Sequence, residues 1–113
     1  MATERLQQLT AFLQENPEDP FLKYAIATEY LKLGNTAEAL RYYEDLKENH
    51  PAYVGTYYHL GKLYEVLDRK EEAIAVYEKG MEVANVKRDR HALSELTAAY
   101  HAARGDGDDD DYE

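Results

Sequence analysis

The sequence has no cysteine, no tryptophan and only three prolines, and it is short of positive charge: 13 Lys and Arg stand against 23 Asp and Glu, for a formal charge of −10 over 113 residues. Without cysteine no disulfide framework can form, and no thiolate is present to complete a zinc site. A chain of this length can bury a core without such staples. The shortage of base argues against a nucleic-acid partner, because phosphate backbones are bound by clustered Lys and Arg that displace counterions. No stretch approaches the ~18 apolar residues of a membrane span. The opening Met1-Ala2-Thr3-Glu4-Arg5-Leu6 lacks the basic segment and apolar run of an export signal. A cytoplasmic protein without membrane contact is the expectation.

The acidity is concentrated at one end. Six acids and no base fall within the last eight residues, Asp106-Gly107-Asp108-Asp109-Asp110-Asp111-Tyr112-Glu113, which leaves −4 for the rest. Such a run repels itself and has almost nothing to bury, so residues 104–113 are expected to be a disordered acidic tail.

What the chain has in excess is tyrosine, 11 against two phenylalanines. Its spacing is periodic. At a shift of 34 residues Tyr24 falls on Tyr58, Tyr30 on Tyr64, Leu33 on Leu67, Glu38 on Glu72, Ala39 on Ala73 and Tyr43 on Tyr77. Ile26/Leu60, Ala27/Gly61 and Leu40/Ile74 keep the register conservatively. Carried backwards, the same shift pairs Glu4 with Glu38, Leu6 with Leu40 and Pro17 with Pro51, so the first segment matches only the second half of a repeat. Carried forwards with a shift of 36, Tyr57, Leu60 and Tyr64 fall on Leu93, Leu96 and Tyr100, so the last segment matches only the first half. Within each unit apolar residues recur at helical spacing, as in Leu22, Ile26, Tyr30 and Leu33, then Ala39, Leu40, Tyr43 and Leu46. Six helices are predicted: 3–15, 20–33, 37–49, 53–67, 70–84 and 89–103. Gly34 is expected to end one helix with Thr36 capping the next, and Asp68-Arg69 to take the corresponding turn in the second repeat. Pro51 stops the helix before it, and Asn85 should do so more weakly.

This helix–turn–helix period resembles the tetratricopeptide repeat family. Ile26-Ala27 and Leu60-Gly61 match its apolar–small pair, Tyr30 and Tyr64 the aromatic that follows, Ala39 and Ala73 the small residue at helix crossings, Tyr43 and Tyr77 the next aromatic, and Pro51 the closing proline. Lys23 stands where the family often has Trp, Gly80 where it has Ala, and Asn85 where it has Pro. The resemblance implies an all-α, right-handed α-solenoid of antiparallel helix pairs in one domain, 1–103. It would consist of a capping helix 3–15, repeats 20–53 and 54–87 and a closing helix 89–103. Polar residues on the end helices (Glu4, Arg5, Gln7, Gln8, Gln14; Arg90, Ser94, Glu95, Arg104) suit caps of a complete small solenoid.

The family's first helices line a concave groove. Residue by residue, that places Phe21, Tyr24, Thr28 and Lys32 from the first repeat, Tyr58, Lys62 and Glu65 from the second, and His91, Ser94, Ala98 and His101 from the closing helix. Tyrosine offers contact area and a hydroxyl at little rotamer cost, and Lys32 and Lys62 have the charge to hold a carboxylate. Heat-shock co-chaperones of the family clamp a terminal carboxylate with Lys, Asn and Arg. Here those places hold Tyr24, Thr28, His59, His91 and Glu95, so that clamp is missing.

Catalysis finds little support. His91 and the only serine, Ser94, are three apart on one helix, with no oxyanion donors to complete a nucleophile. The four histidines have no metal-ligand spacing, the aspartate run lacks the alternating ligands of a calcium loop, and the glycines do not cluster into a phosphate loop. The expected function is a protein–protein interaction module that holds a peptide or helix of a partner protein in the groove, with no cofactor, no metal and no chemistry of its own. A homo-oligomeric scaffold, such as a homodimer through tyrosine-rich faces, is the alternative.

Overall fold

The computed structural model describes residues 2–105, with side chains from Glu4 onward. The acidic segment 106–113, expected to be disordered, lies outside the described residues. The described chain is all helix and turn: α1 (Ala2–Glu15), α2 (Pro20–Lys32), α3 (Thr36–Asn49), α4 (Gly55–Val66), α5 (Lys70–Lys87) and α6 (Arg90–Arg104). The helices fall into two compact units, Met1–Tyr53 and Val54–Glu113. In the first, α2 packs against α1 and α3; in the second, α5 packs against α4 and α6, and α4 also meets α6. The connections 16–19, 33–35, 67–69 and 88–89 are too short for anything but a reversal of direction.

Helix ends follow local chemistry. Asp19 caps α2, its Oδ1 accepting from the amides of Phe21 (2.9 Å) and Leu22 (3.4 Å), and Pro20 occupies the first turn, where its missing N–H is no loss. Gly34 turns the chain at φ +79°, as predicted. The cap that follows is Asn35 rather than Thr36: Asn35 has non-helical backbone angles and accepts from the Glu38 amide at 3.1 Å, while Thr36 is already within the helix. In the second repeat the non-glycine residue Asp68 takes the same left-handed turn at φ +62°. Asn85 does not end α5. It keeps an N–H and brings no ring clash, so the helix continues to Lys87 and closes where Arg88 turns left-handed at φ +59°. Arg104 likewise belongs to α6, which ends at Gly105 in the left-handed conformation, and not to a tail.

The first unit gathers Leu9, Leu22, Ala25 and Ile26, with Leu6, Leu13, Tyr30 and Tyr42 packed against them. One position in it is unusual. Lys23, at the place of the fully buried Tyr57, is only 8% exposed. Its stem fills the site, and its ammonium reaches Asp45 at 2.8 Å, His50 Nε2 at 3.4 Å and Glu18 at 3.9 Å. Partial burial pushes the Asp45 carboxyl up, but the hydrogen bond and charge of Lys23 more than reverse this and leave it below the ordinary carboxylate range. A second buried acid, Glu29, 3% exposed, holds both Arg5 of α1 (3.2 Å) and Lys32 (3.3 Å) on Oε2.

The second unit is built on close approach. A Cβ placed on Gly61 would overlap the ring of Tyr77, whose Cζ is 2.6 Å away, and one on Gly80 would stand 2.5 Å from Tyr57 Cβ and 3.1 Å from Leu96 Cδ1. The two glycines let α4, α5 and α6 nest around fully buried tyrosines.

Two consequences are measurable by denaturation. Gly61→Ala should destabilise the chain by about 2 kcal/mol, as overpacking against Tyr77 demands, whereas Asp68→Gly should stabilise it by about 1 kcal/mol by relieving a left-handed non-glycine turn. The third concerns pH. Because the folded-state pKa of Asp45 is lowered, its contribution is present above the ordinary aspartate value of 3.8 and is lost as pH falls through the folded value. Melting temperatures between pH 6 and pH 2 should therefore fall less steeply in Asp45→Asn than in the parent.

Candidate peptide-binding surfaces

The residues expected to line a groove on α2 share one helix face by their spacing, 21, 24, 28 and 32. Phe21 is exposed. Tyr24 packs its ring edge-on to Tyr43, with centroids 6.2 Å apart, and tilted against Tyr53 at 5.7 Å. Thr28 Oγ1 donates to the Tyr24 carbonyl at 3.0 Å, and with its proton so used it accepts from the Tyr43 hydroxyl at 3.1 Å. Burial raises the pKa of that phenol, with Thr28 opposing, so Tyr43 stays a donor. Lys32 is drawn onto Glu29, which also holds Arg5. Three of the four residues thus have structural partners within their own unit, and Lys32 shares the single Glu29 carboxylate with Arg5.

The second unit is arranged differently. Tyr58, Lys62 and Glu65 succeed one another along α4, opposite a run of small residues on α6. Tyr58 and Lys62 face Glu95, Ala98, Ala99 and Ala102 across a cleft of about 350 Å³. Lys62 Nζ lies 5.5 Å from the centroid of the Tyr58 ring, and no carboxylate stands at salt-bridge distance from it among the described residues. An ammonium over a tyrosine face gains cation–π attraction yet keeps its hydrogen-bonding capacity. Beneath it, Glu65 accepts a 2.5 Å hydrogen bond from Tyr77. Burial and then the Glu65 carboxylate push the Tyr77 phenol far up, fixing it as a donor. The edge of the Tyr58 ring meets His59, whose pKa is lowered by burial against an opposing pull from Glu95.

His91 and Ser94 are exposed on α6 and do not line this cleft. His91 is 85% exposed and pairs with Glu95 at 3.3 Å, which places a rim charge beside the cleft rather than a catalytic base beside Ser94. His101 packs its ring against Tyr100 at 5.2 Å. Among the described residues no group of three or more His, Asp or Glu side chains has metal-binding geometry, and no helix is long and apolar enough to cross a membrane. The sequence reading missed Ala99 and Ala102. Their signal was present as the alanine spacing 98, 99 and 102, which keeps one side of α6 low.

The arrangement has known counterparts. Tetratricopeptide repeat profiles match residues 23–53 and 54–86. No curated protein matches the sequence. A crystal structure of a tetratricopeptide repeat domain protein from Salinibacter ruber is similar at 53% identity, covering 77% of this chain and 97% of that one, with a TM-score of 0.75. A solution structure of a tetratricopeptide repeat domain protein from the same organism gives 54% identity, 79% and 90% coverage and a TM-score of 0.76. The TPR2B domain in a pHsp70 complex of yeast Sti1 shares the fold at 16% identity, covering 93% of this chain and 84% of that one, with a TM-score of 0.83. Two matched repeats, the paired helices that carry them and a relative sharing half its residues have one reading: the chain belongs to the tetratricopeptide repeat family.

Proposed function

We propose that this protein is an interaction module without catalysis, which holds an extended or helical segment of a partner protein in the cleft between α4 and α6. The observation that carries this reading is Lys62, poised over the Tyr58 ring with no carboxylate partner among the described residues and facing a floor of Ala98, Ala99 and Ala102. A segment lying on the alanines could approach closely, bury an apolar side chain against Tyr58 and present an Asp, a Glu or a carbonyl oxygen to Lys62. Glu95 at the far side accepts donors from the same segment. Lys32 is a weaker candidate for this task, since its ammonium already leans on Glu29. The yeast Sti1 domain, solved as a complex with pHsp70, shares the fold, which supports a protein partner here. The residues of the co-chaperone carboxylate clamp are absent from this chain, so the partner's chemistry is set by the tyrosine, the lysine and the alanine floor instead. A cleft this small gives modest affinity, on the order of micromolar.

The test is capture from a native lysate with the parent chain and the Tyr58→Ala, Lys62→Ala double variant, each checked for helicity and mass. The expected outcome is a partner retained by the parent and lost at least about tenfold in the variant. Retention should also weaken as salt rises from 0.1 to 1 M, because the screening length falls from about 10 to 3 Å. Equal capture by both chains would remove the cleft from the interaction.

A further inference from the structure

The two end helices are halves of the same unit. α1 is in register with α3 and α5, through Glu4, Glu38 and Glu72 and through Leu6, Leu40 and Ile74. It is a second-half helix whose first-half mate is absent among the described residues. α6 is in register with α4 at a shift of 36, a first-half helix whose second-half mate is likewise absent. The α4–α5 pair shows what a complete unit requires: Gly61 beneath the ring of Tyr77, and Gly80 beneath Tyr57. Transferred to the end helices by the same shifts, these two contacts become Thr97 with Leu9 and Leu93 with Phe12. Each exchange compensates in volume. Where Gly61 becomes the larger Thr97, Tyr77 becomes the smaller Leu9; where Tyr57 becomes the smaller Leu93, Gly80 becomes the large Phe12.

Exposure agrees with this transfer. Phe12 is 54% exposed, whereas its counterparts Leu46 and Gly80 are buried. Leu93 and Tyr100 are half-exposed, whereas their counterparts Tyr57 and Tyr64 are buried. Leu93 and Tyr100 line, with Met81 and the rim residues Glu78, Glu82 and Asn85, a cleft of about 570 Å³ between α5 and α6. Arg5 occupies the place of the small residues Ala39 and Ala73, and its guanidinium is turned onto Glu29 of α2.

We propose that copies of this chain join head to tail, with α1 of one copy seated on the α5–α6 edge of the next, so that α6 and α1 complete one helix pair across the contact. The occupant is a second copy because α1 carries the register and, in the exposed Phe12, the large apolar side chain that this edge lacks, while Leu9 stays in the core of its own unit. Phe12 of one copy meets Leu93 of the next. The two patches are different surfaces, so the contact is heterologous and each copy can engage two neighbours.

Sedimentation equilibrium of the full chain from about 10 µM to 1 mM tests this, with Phe12→Asp and Leu93→Asp beside it. The parent should rise above its 13.0 kDa monomer mass with concentration, and each variant should remain at 13.0 kDa. An equimolar mixture of the two variants keeps one intact patch of each kind, so it should reach twice the monomer mass and stop there. A parent that stays monomeric, a single variant that associates like the parent, or a mixture that stays monomeric would overturn the proposal. Should Leu93→Asp lose helicity, the cysteine-free background supplies a second route. Phe12→Cys and Leu93→Cys, mixed and oxidised, should give the covalent heterodimer well in excess of both homodimers, and a statistical distribution of the three would count against the contact.

Discussion

Everything in the second unit depends on how closely two helix backbones can approach. With Gly61 on one helix and Tyr77 on the other, the crossing has a short side and a long side, and the tyrosine ring occupies the space that a methyl group would take. The same arrangement in reverse, Gly80 against Tyr57, ties α5 back to α4 and places Leu96 of α6 within reach. Buried this way, the Tyr77 hydroxyl needs an acceptor, and it finds Glu65 on the helix that also carries Tyr58 and Lys62. Packing thereby fixes a polar contact at the edge of the cleft. The geometry of the cleft is inherited from the core beneath it.

The first unit uses electrostatics where the second uses shape. Lys23 stands in the place of Tyr57, and its buried stem with Asp45 and His50 at its tip substitutes for an aromatic ring. Glu29 is likewise buried with charge around it, holding Lys32 and Arg5 on one carboxylate oxygen. The two repeats are alike in helix order and unlike in surface: Lys32 leans on Glu29, whereas Lys62 lies over the Tyr58 ring.

The period was legible in the sequence because close crossing leaves a mark on composition. Small residues at 27, 61, 39 and 73, with tyrosines at 43 and 77, can recur at one spacing only if the same crossing recurs. The turn at Asp68 was legible for a similar reason, since it shares a register with Gly34. Helix ends were less so. Asn85 looked like the counterpart of Pro51, but lacks the ring that makes proline terminate a helix, and the turn at Arg88 has no residue type to announce it. In the candidate site, Lys32 and Lys62 lie on the first helices of their repeats but at different registers, since the 34-residue shift pairs Lys32 with Val66 and Lys62 with Thr28. What separates them is Glu29, whose burial between two cations involves Arg5 from another helix, and no spacing rule reports that. The alanine floor was visible as letters and gained meaning only when α6 was placed beside α4.

The Glu29 arrangement also bears on the solvents this protein tolerates. Ion pairs between fully solvated side chains fade in concentrated electrolyte, because mobile ions crowd between the partners. Glu29 exposes only 4% of its side chain, but Arg5 exposes 55%, so those ions reach this pair from the guanidinium side alone. The helix it anchors is α1, attached otherwise chiefly to α2 through a few leucines. As electrolyte weakens that tether from the Arg5 side, α1 comes to depend on its leucines, whose burial the same salt favours.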